Sequence, residues 1–187
     1  MFKKAGIVFL FVVSGGFVFI AIYLHIRNSS SDYAVKMITT TNSYVQKPRT
    51  KISGCQVKGM LPDLDCTPGA IIHAVSKEQV CTGGYASSVR SVSNSVKNQV
   101  YAEYGILSHT ADQYEVDHLV SLELGGSNDI ANLWPEVSDP TSGFHQKDKY
   151  ENYLHTQVCG GVMSLSEAQY KISTDWYRNM KVDTFVP

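Results

Sequence analysis

The dipeptide Asp117-His118 combines two groups that hydrolysis of a phosphodiester requires. Histidine, with an unperturbed pKa of about 6.5, is the side chain best suited to take a proton from an attacking water at neutral pH. A divalent metal ion supplies counter-charge at the crowded phosphorus, and a carboxylate is the kind of oxygen ligand that a hard cation prefers. The pair therefore predicts a metal-assisted hydrolytic site.

A second group of polar side chains follows downstream with helical spacing. Steps of three, four and three residues place its members on one face of a helix: His145, Asp148, Asn152 and His155. This face could complete the metal site. It could also be the solvated side of an amphipathic helix that buries Tyr150, Leu154 and Val158.

Hydrophobic periodicity predicts the elements that hold these residues. Alternation from Tyr114 to Leu124 predicts a strand, and Asn132 to Trp134 predicts a short second strand that Pro135 stops. A helix is predicted over residues 145–158. Neighbouring residues of a regular strand face opposite sides, so Asp117 and His118 can serve one site only where the strand ends or bulges.

Two further helices are predicted on either side of this centre. The first covers residues 93–104, with Ser93 as its cap, and the second runs from the capping-box pattern at Ser164 to about Trp176. Trp134 and Trp176 could be stacking platforms for nucleobases, but core positions are the favoured interpretation. Three lysines of the predicted helices, Lys147, Lys149 and Lys171, could contact phosphate or simply solvate a helix face. The basic cluster of Lys47, Arg49, Lys51 and Lys58 could contact nucleic acid or anionic lipid, or belong to a soluble linker.

The central segments resemble a known motif. Residues 114–126, followed by Asn132-Leu133-Trp134-Pro135-Glu136, are similar to the HNH, or ββα-metal, nuclease motif. They resemble exported bacterial HNH-like proteins in particular, where a Lys-Asp-x-x-Glu-Asn helix and a Val-Cys pair follow, here within residues 147–159. Upstream, Cys66-Thr67-Pro68-Gly69 and Tyr104-Gly105 also match. The likeness covers residues 66–176 and implies an α+β fold with a ββα-metal hairpin-plus-helix core, flanking helices and a disulfide-stapled N-terminal part.

The resemblance also implies roles for the strand residues. His118 would be the general base and Asp117 a metal ligand, while Asn132 would fix the loop and orient the base. Ser121 stands where the motif usually has a proline, outside the chemistry.

The third position of the motif should come from the helix, and three residues compete for it. Asn152 matches the Glu-Asn pattern and ranks slightly ahead, His145 lies nearer the helix start, and His155 is the remaining candidate. Asp148 is an additional candidate ligand. The cofactor implied is a divalent metal, Mg²⁺ first, with Mn²⁺ and Zn²⁺ as alternatives.

The N-terminus predicts a membrane anchor. Lys3 and Lys4 precede an uncharged apolar run over residues 5–24, which is long enough to cross a bilayer and carries no good cleavage pattern. A cleaved signal followed by secretion is the alternative. The predicted organisation is an anchor over residues 1–27, a linker over 28–54 and the nuclease-like domain over 55–187, with the body outside the cytoplasm.

The four cysteines all follow this segment and predict two disulfides in an oxidising compartment. Four cysteines allow three connectivities. The favoured pairing joins Cys66 to Cys81 in a short loop and Cys55 to Cys159 across the domain; free buried thiols are the alternative.

Composition restricts function only weakly. The formal net charge of the 187 residues is −1, without the basic excess that is typical of nucleic-acid binders. The leading hypothesis is a metal-dependent endonuclease acting on DNA, with RNA as a further substrate and an unidentified inhibitor protein as a further partner. The alternative is a non-catalytic envelope module that keeps the scaffold and binds a polymer or a protein.

Overall fold

The computed structural model describes residues 42–139 and 143–183. Within these ranges the chain forms helices with a strand pair between the third and fourth of them. Their bounds are α1 (Lys77–Val80), α2 (Tyr85–Val89), α3 (Asn94–Glu103), β1 (Tyr114–His118), β2 (Leu133–Val137), α4 (Phe144–Cys159) and α5 (Leu165–Val182). Single 3-10 turns at Leu122–Leu124 and Ile130–Asn132 lie between the strands.

The strands form an antiparallel hairpin in which Asp117 lies opposite Trp134 and His118 opposite Leu133. The first strand is shorter than predicted, because it ends at His118. The second is longer, and it runs through Pro135 to Val137. A two-stranded sheet consists of edge strands only, where a missing backbone N–H is tolerated.

After His118 the chain leaves the strand and turns inward. Residues 119–122 are all buried, so the alternation of a half-buried strand is lost there. Two glycines permit the tight return: Gly125 has a φ of 79°, and a Cβ at Gly126 would collide with the carbonyl oxygen of Val120. The strand therefore ends at the Asp-His pair, which is the condition for both residues to serve one site, and it ends well before the glycines.

The predicted helices are confirmed, with different ends. Ser93 caps α3 by accepting from Val96 N, and Ser164 caps α5 by accepting from Glu167 N. α5 continues past its predicted end to Val182, with a kink at Asp175.

The core has two parts. One lies between α4 and α5 and includes Tyr150, Leu154, Val158, Ile172 and Trp176. The other packs Val100 of α3 against Val116 and Leu133 of the hairpin. Trp134 and Trp176 are 1% and 0% exposed, which confirms them as core residues.

All four cysteines form disulfides, but the favoured pairing was wrong. The bonds are Cys55–Cys66 and Cys81–Cys159. Asp63 shapes the first loop, since its carbonyl oxygen accepts from Cys66 N and its carboxylate accepts from Gln56 N. The second bond joins the end of α1 to the end of α4. Cys159 is therefore bonded to Cys81 and not, as predicted, to Cys55.

The described end of the predicted linker lies against the folded body. Tyr44 donates from its hydroxyl to the carbonyl oxygen of Gly69, and Arg49 pairs with Glu103. Lys51 pairs with Asp63 at 2.9 Å. These bonds anchor residues 44–51, a segment without helix or strand.

The predicted fold class, which added a transmembrane helix to an α+β ββα-metal core, requires correction. Over the described ranges the protein is a mixed helical structure with one short two-stranded sheet. None of the helices in these ranges combines the length and apolar character needed to cross a bilayer. The predicted anchor, residues 5–24, lies outside the described residues.

Candidate active site

The carboxylate of Asp117 is held by a lysine of α4. Lys147 Nζ donates to Asp117 Oδ2 at 2.6 Å, to the carbonyl oxygen of His118 at 2.6 Å and to Glu151. Glu136 Oε2 lies 3.9 Å from the same nitrogen. The side chain of Lys147 is 0% exposed, so both predictions for it, a phosphate contact and a solvated helix face, were wrong.

These four side chains, Lys147, Asp117, Glu136 and Glu151, are called the lysine cluster below. Burial alone would raise the pKa of Asp117, but the charge and the hydrogen bond of Lys147 outweigh it and hold the pKa below its usual value. The pKa of Lys147 is raised well above its usual value, because the surrounding carboxylates outweigh the effect of burial.

The other two carboxyl groups of the lysine cluster respond in the opposite direction. Burial raises the pKa of Glu136 well above its usual value and that of Glu151 to about 8. The charge of Asp117 adds to both shifts. One ammonium therefore faces one carboxyl group whose pKa is lowered and two whose pKa is raised.

His118 faces a different set of partners. Its ring Nε2 lies 3.2 Å from Asn128 Oδ1. The Asn128 carboxamide is oriented by backbone groups on both sides, since Nδ2 donates to Val89 O at 2.7 Å and Oδ1 accepts from Ser91 N at 3.1 Å. Oδ1 can only accept, so Nε2 of His118 carries the hydrogen.

The other ring nitrogen of His118 is then an unprotonated acceptor. Nδ1 is buried, and no described residue offers it a hydrogen bond. Burial lowers the pKa of His118, which favours the neutral ring. A neutral imidazole with an unoccupied Nδ1 has the form that a general base requires.

Asn132 holds the loop between the strands. Its Oδ1 accepts from Val120 N at 2.8 Å, and its Nδ2 donates to Val120 O and Ser127 O, each at 2.9 Å. It is fully buried. The bonds place Asn132 where loop fixation was predicted, whereas the ring of His118 is oriented by Asn128.

The polar residues of α4 have different surroundings in the first and second halves of the helix. His145 and Asp148 are exposed on the first turns, on either side of buried Lys147. Burial, followed by the charge of Asp117, raises the pKa of Asp148, and His145 opposes this shift. Asp148 therefore lies within electrostatic reach of both Asp117 and His145.

The other two residues of that face have different neighbours. Asn152 is exposed and donates within the helix to the carbonyl oxygen of Asp148 at 2.8 Å. His155 Nε2 bonds Val80 O at 3.0 Å, beside the disulfide at Cys159. At 1.5 Å per residue His155 lies about 12 Å along the helix from Lys147. Of the three candidates for the third position, His145 is the one whose charge affects the pKa of Asp148, as the charge of Asp117 does.

Arg90 brings an exposed positive charge to the same region. It follows α2 between the two residues that hold Asn128, and its charge acts on His118, Asp148 and Glu115. No motif or spacing pointed to Arg90, because it lies 27 residues before Asp117 in a serine-rich loop.

Candidate metal-ligand atoms come close together at one place among the described residues. The one group of three ligand atoms from His, Cys, Asp or Glu within 4.8 Å of one another is Cys81, His155 and Cys159, and its two sulfurs are joined in a disulfide. Around Asp117 the donors are not gathered to that degree. Their chemistry nevertheless fits a hard divalent cation, because the exposed carboxylate of Asp148 is repelled by the largely buried carboxylate of Asp117 and is also within reach of the exposed His145.

No protein-family model, curated protein or solved structure matches this chain. Its function is therefore inferred from the site.

Proposed function

We propose that the protein is a divalent-metal-dependent endonuclease of the HNH type that hydrolyses phosphodiester bonds of DNA, with His118 as general base. One observation carries the proposal: Asn128 holds the neutral His118 ring so that its buried Nδ1 is an acceptor without a partner among the described residues. A buried acceptor of this kind is normally satisfied by water. In the proposed reaction that water is the nucleophile.

Each residue then has a defined task. His118 Nδ1 takes a proton as the water oxygen attacks phosphorus, and the bond from phosphorus to the leaving oxygen breaks. Asp117, Asp148 and His145 would hold a divalent cation, Mg²⁺ being the best match to oxygen ligands, with Mn²⁺ or Zn²⁺ as alternatives. When bound, the cation supplies counter-charge for the phosphorus and stabilises the leaving oxygen. Asn132 keeps the loop after β1 in place.

The two disulfides support a location outside the cytoplasm, where such bonds form and persist. A catalytic domain in that location would meet DNA or RNA released outside the cell.

A second function is favoured by one specific observation. Lys147 already neutralises Asp117, and the donors near Asp117 are not gathered into a ligand set. A non-catalytic module that binds a polymer or a protein would need no more than this arrangement.

Nicking of supercoiled plasmid by the full chain separates the two functions. The reactions contain Mg²⁺, Mn²⁺ or EDTA, with single-stranded RNA as a parallel substrate. The variant is His118→Ala, and the matched control is His73→Ala, which removes an exposed histidine.

The endonuclease requires cleavage that depends on metal, persists in His73→Ala and falls by roughly 10²–10⁴-fold in His118→Ala, the usual contribution of a general base. Folded wild-type protein that is as inert as His118→Ala with every metal would overturn the proposal and favour the binding module.

A further inference from the structure

The ammonium of Lys147 contacts both members of the Asp117-His118 pair. It donates to the carboxylate of Asp117 and to the backbone carbonyl of His118, each at 2.6 Å. Consecutive strand residues face opposite sides, so one side chain cannot ordinarily bind both side chains. Lys147 meets this constraint by using the side chain of one residue and the main chain of the next.

This contact also sets the distance between the strand end and α4. Lys147 lies two residues after His145 and one before Asp148, the exposed residues that share the surroundings of Asp117. An ammonium fixed to β1 at two oxygens leaves these neighbours little freedom to move relative to Asp117. Glu151, one helical turn further, binds the same ammonium and fixes its orientation.

The ammonium of Lys147 is 0% exposed and donates to three protein oxygens, so it has no hydrogen left for a substrate. Any effect that it has on the reaction must pass through Asp117 and His118. We infer that Lys147 is a positioning residue of the proposed active site, which fixes the Asp117 carboxylate and the end of β1 against the α4 residues that share in cation binding. The inference rests on the proposed function.

The test replaces the lysine together with one of the carboxyl groups that it binds. Lys147→Met alone would leave three carboxyl groups facing an apolar side chain and could prevent folding. The double variant Lys147→Met/Glu151→Gln leaves one ionisable group fewer beside the methionine and keeps the size of the side chain at position 151. Lys149→Met is the matched control, because Lys149 is an exposed lysine of the same helix.

Four quantities are measured on the full chain: the midpoint of thermal unfolding, the Kd for Mn²⁺ without substrate by electron paramagnetic resonance, and kcat and KM for plasmid cleavage. For a positioning residue, the folded double variant binds Mn²⁺ about 10–100-fold more weakly, as is typical when a group that supports a metal ligand is removed. Its kcat falls about 100-fold, the cost of a displacement of roughly 1 Å, with KM changed less than threefold. Lys149→Met matches wild type in the unfolding midpoint and in the Kd for Mn²⁺, the two quantities that involve no substrate.

The outcomes separate the inference from the proposed function. If the folded double variant has the Mn²⁺ affinity and the kcat of Lys149→Met, Lys147 is structural only and the inference fails while the endonuclease stands. A loss of activity that only follows the unfolded fraction has the same meaning. Wild type that binds Mn²⁺ without cleaving DNA overturns the proposed function, and the comparison of Mn²⁺ affinities still decides the role of Lys147. Wild type that neither binds Mn²⁺ nor cleaves overturns both.

Discussion

Replacing Asn128 with alanine should remove the hydrogen bond that fixes the tautomer of His118, without removing the imidazole ring. In the structure Asn128 Oδ1 receives the Nε2 hydrogen of His118, and the carboxamide is itself oriented by Val89 O and Ser91 N. Alanine leaves the ring without a hydrogen bond at either nitrogen within the described part of the chain. The ring can then carry its hydrogen on Nδ1, the atom that must accept a proton.

The size of the effect follows from these contacts. Equal tautomer populations alone would reduce the competent fraction by about twofold, whereas a displacement of roughly 1 Å costs about 100-fold in rate. The expected loss of kcat is therefore about 10–100-fold, less than the roughly 10²–10⁴-fold expected for His118→Ala. An unpaired ring N–H at a buried site also lowers the free energy of unfolding by about 1–3 kcal/mol.

Long-range proton–nitrogen NMR spectra of the His118 ring report the tautomer directly, and plasmid nicking reports kcat. Ser91→Ala is the control, because it keeps the backbone N–H that Asn128 uses. A wild-type ring with its hydrogen on Nδ1 would refute the assignment, as would an Asn128→Ala protein with unchanged ring shifts and unchanged kcat.

Three further outcomes are expected. Arg90→Gln should raise KM for DNA severalfold at low salt and change kcat less, while Arg178→Gln, which removes an exposed charge on α5, should leave both unchanged in the same nicking assay. Replacing Cys81 and Cys159 together with serine should lower the free energy of unfolding in urea by about 2–5 kcal/mol. The loss should be larger than for the Cys55–Cys66 pair, because the sequence separation is 78 residues for Cys81–Cys159 and 11 for Cys55–Cys66. The Lys51 ammonium holds the pKa of Asp63 below its usual value. The ionised Asp63 therefore stabilises the fold above its unfolded pKa, and this contribution is lost as pH falls through the folded pKa. The thermal midpoint of wild type should exceed that of Asp63→Asn at pH 7, and the difference should disappear at acid pH.

Local sequence signals were sufficient to predict α3 and α5, whereas the short helices α1 and α2 were not predicted. Ser93 and Ser164 each occur three residues before a backbone N–H that they cap, and the apolar periodicity behind them needs no tertiary knowledge. The ends of the strands were less predictable. β1 stops at His118 because the next residues are buried on every side, a consequence of packing that alternation cannot reveal.

Lys147 and Asn128 show where sequence reasoning reached its limit at the site. A lysine four residues before a glutamate normally indicates an exposed helical pair, and only the approach of β1 makes Lys147 an interior cation. Asn128 lies in a Gly-Gly-Ser-Asn-Asp segment, a composition typical of turns. Its bond to His118 depends on residues 89–91, which no spacing rule connects to the motif.

The two tryptophans extend this argument to stability. Both are buried, yet Trp176 Nε1 donates to Met60 O at 2.8 Å while Trp134 Nε1 has no partner among the described residues. Phenylalanine removes a similar volume at each position, so the cavity costs are comparable. Trp176→Phe also loses a hydrogen bond worth about 0.5–1.5 kcal/mol, whereas Trp134→Phe removes an unpaired donor whose burial costs about 1–3 kcal/mol. In urea unfolding followed by circular dichroism, Trp134→Phe should therefore be the more stable variant by about 1.5–4.5 kcal/mol, the sum of the two effects. Equal midpoints or the reverse order would contradict the environment assigned to the Trp134 ring.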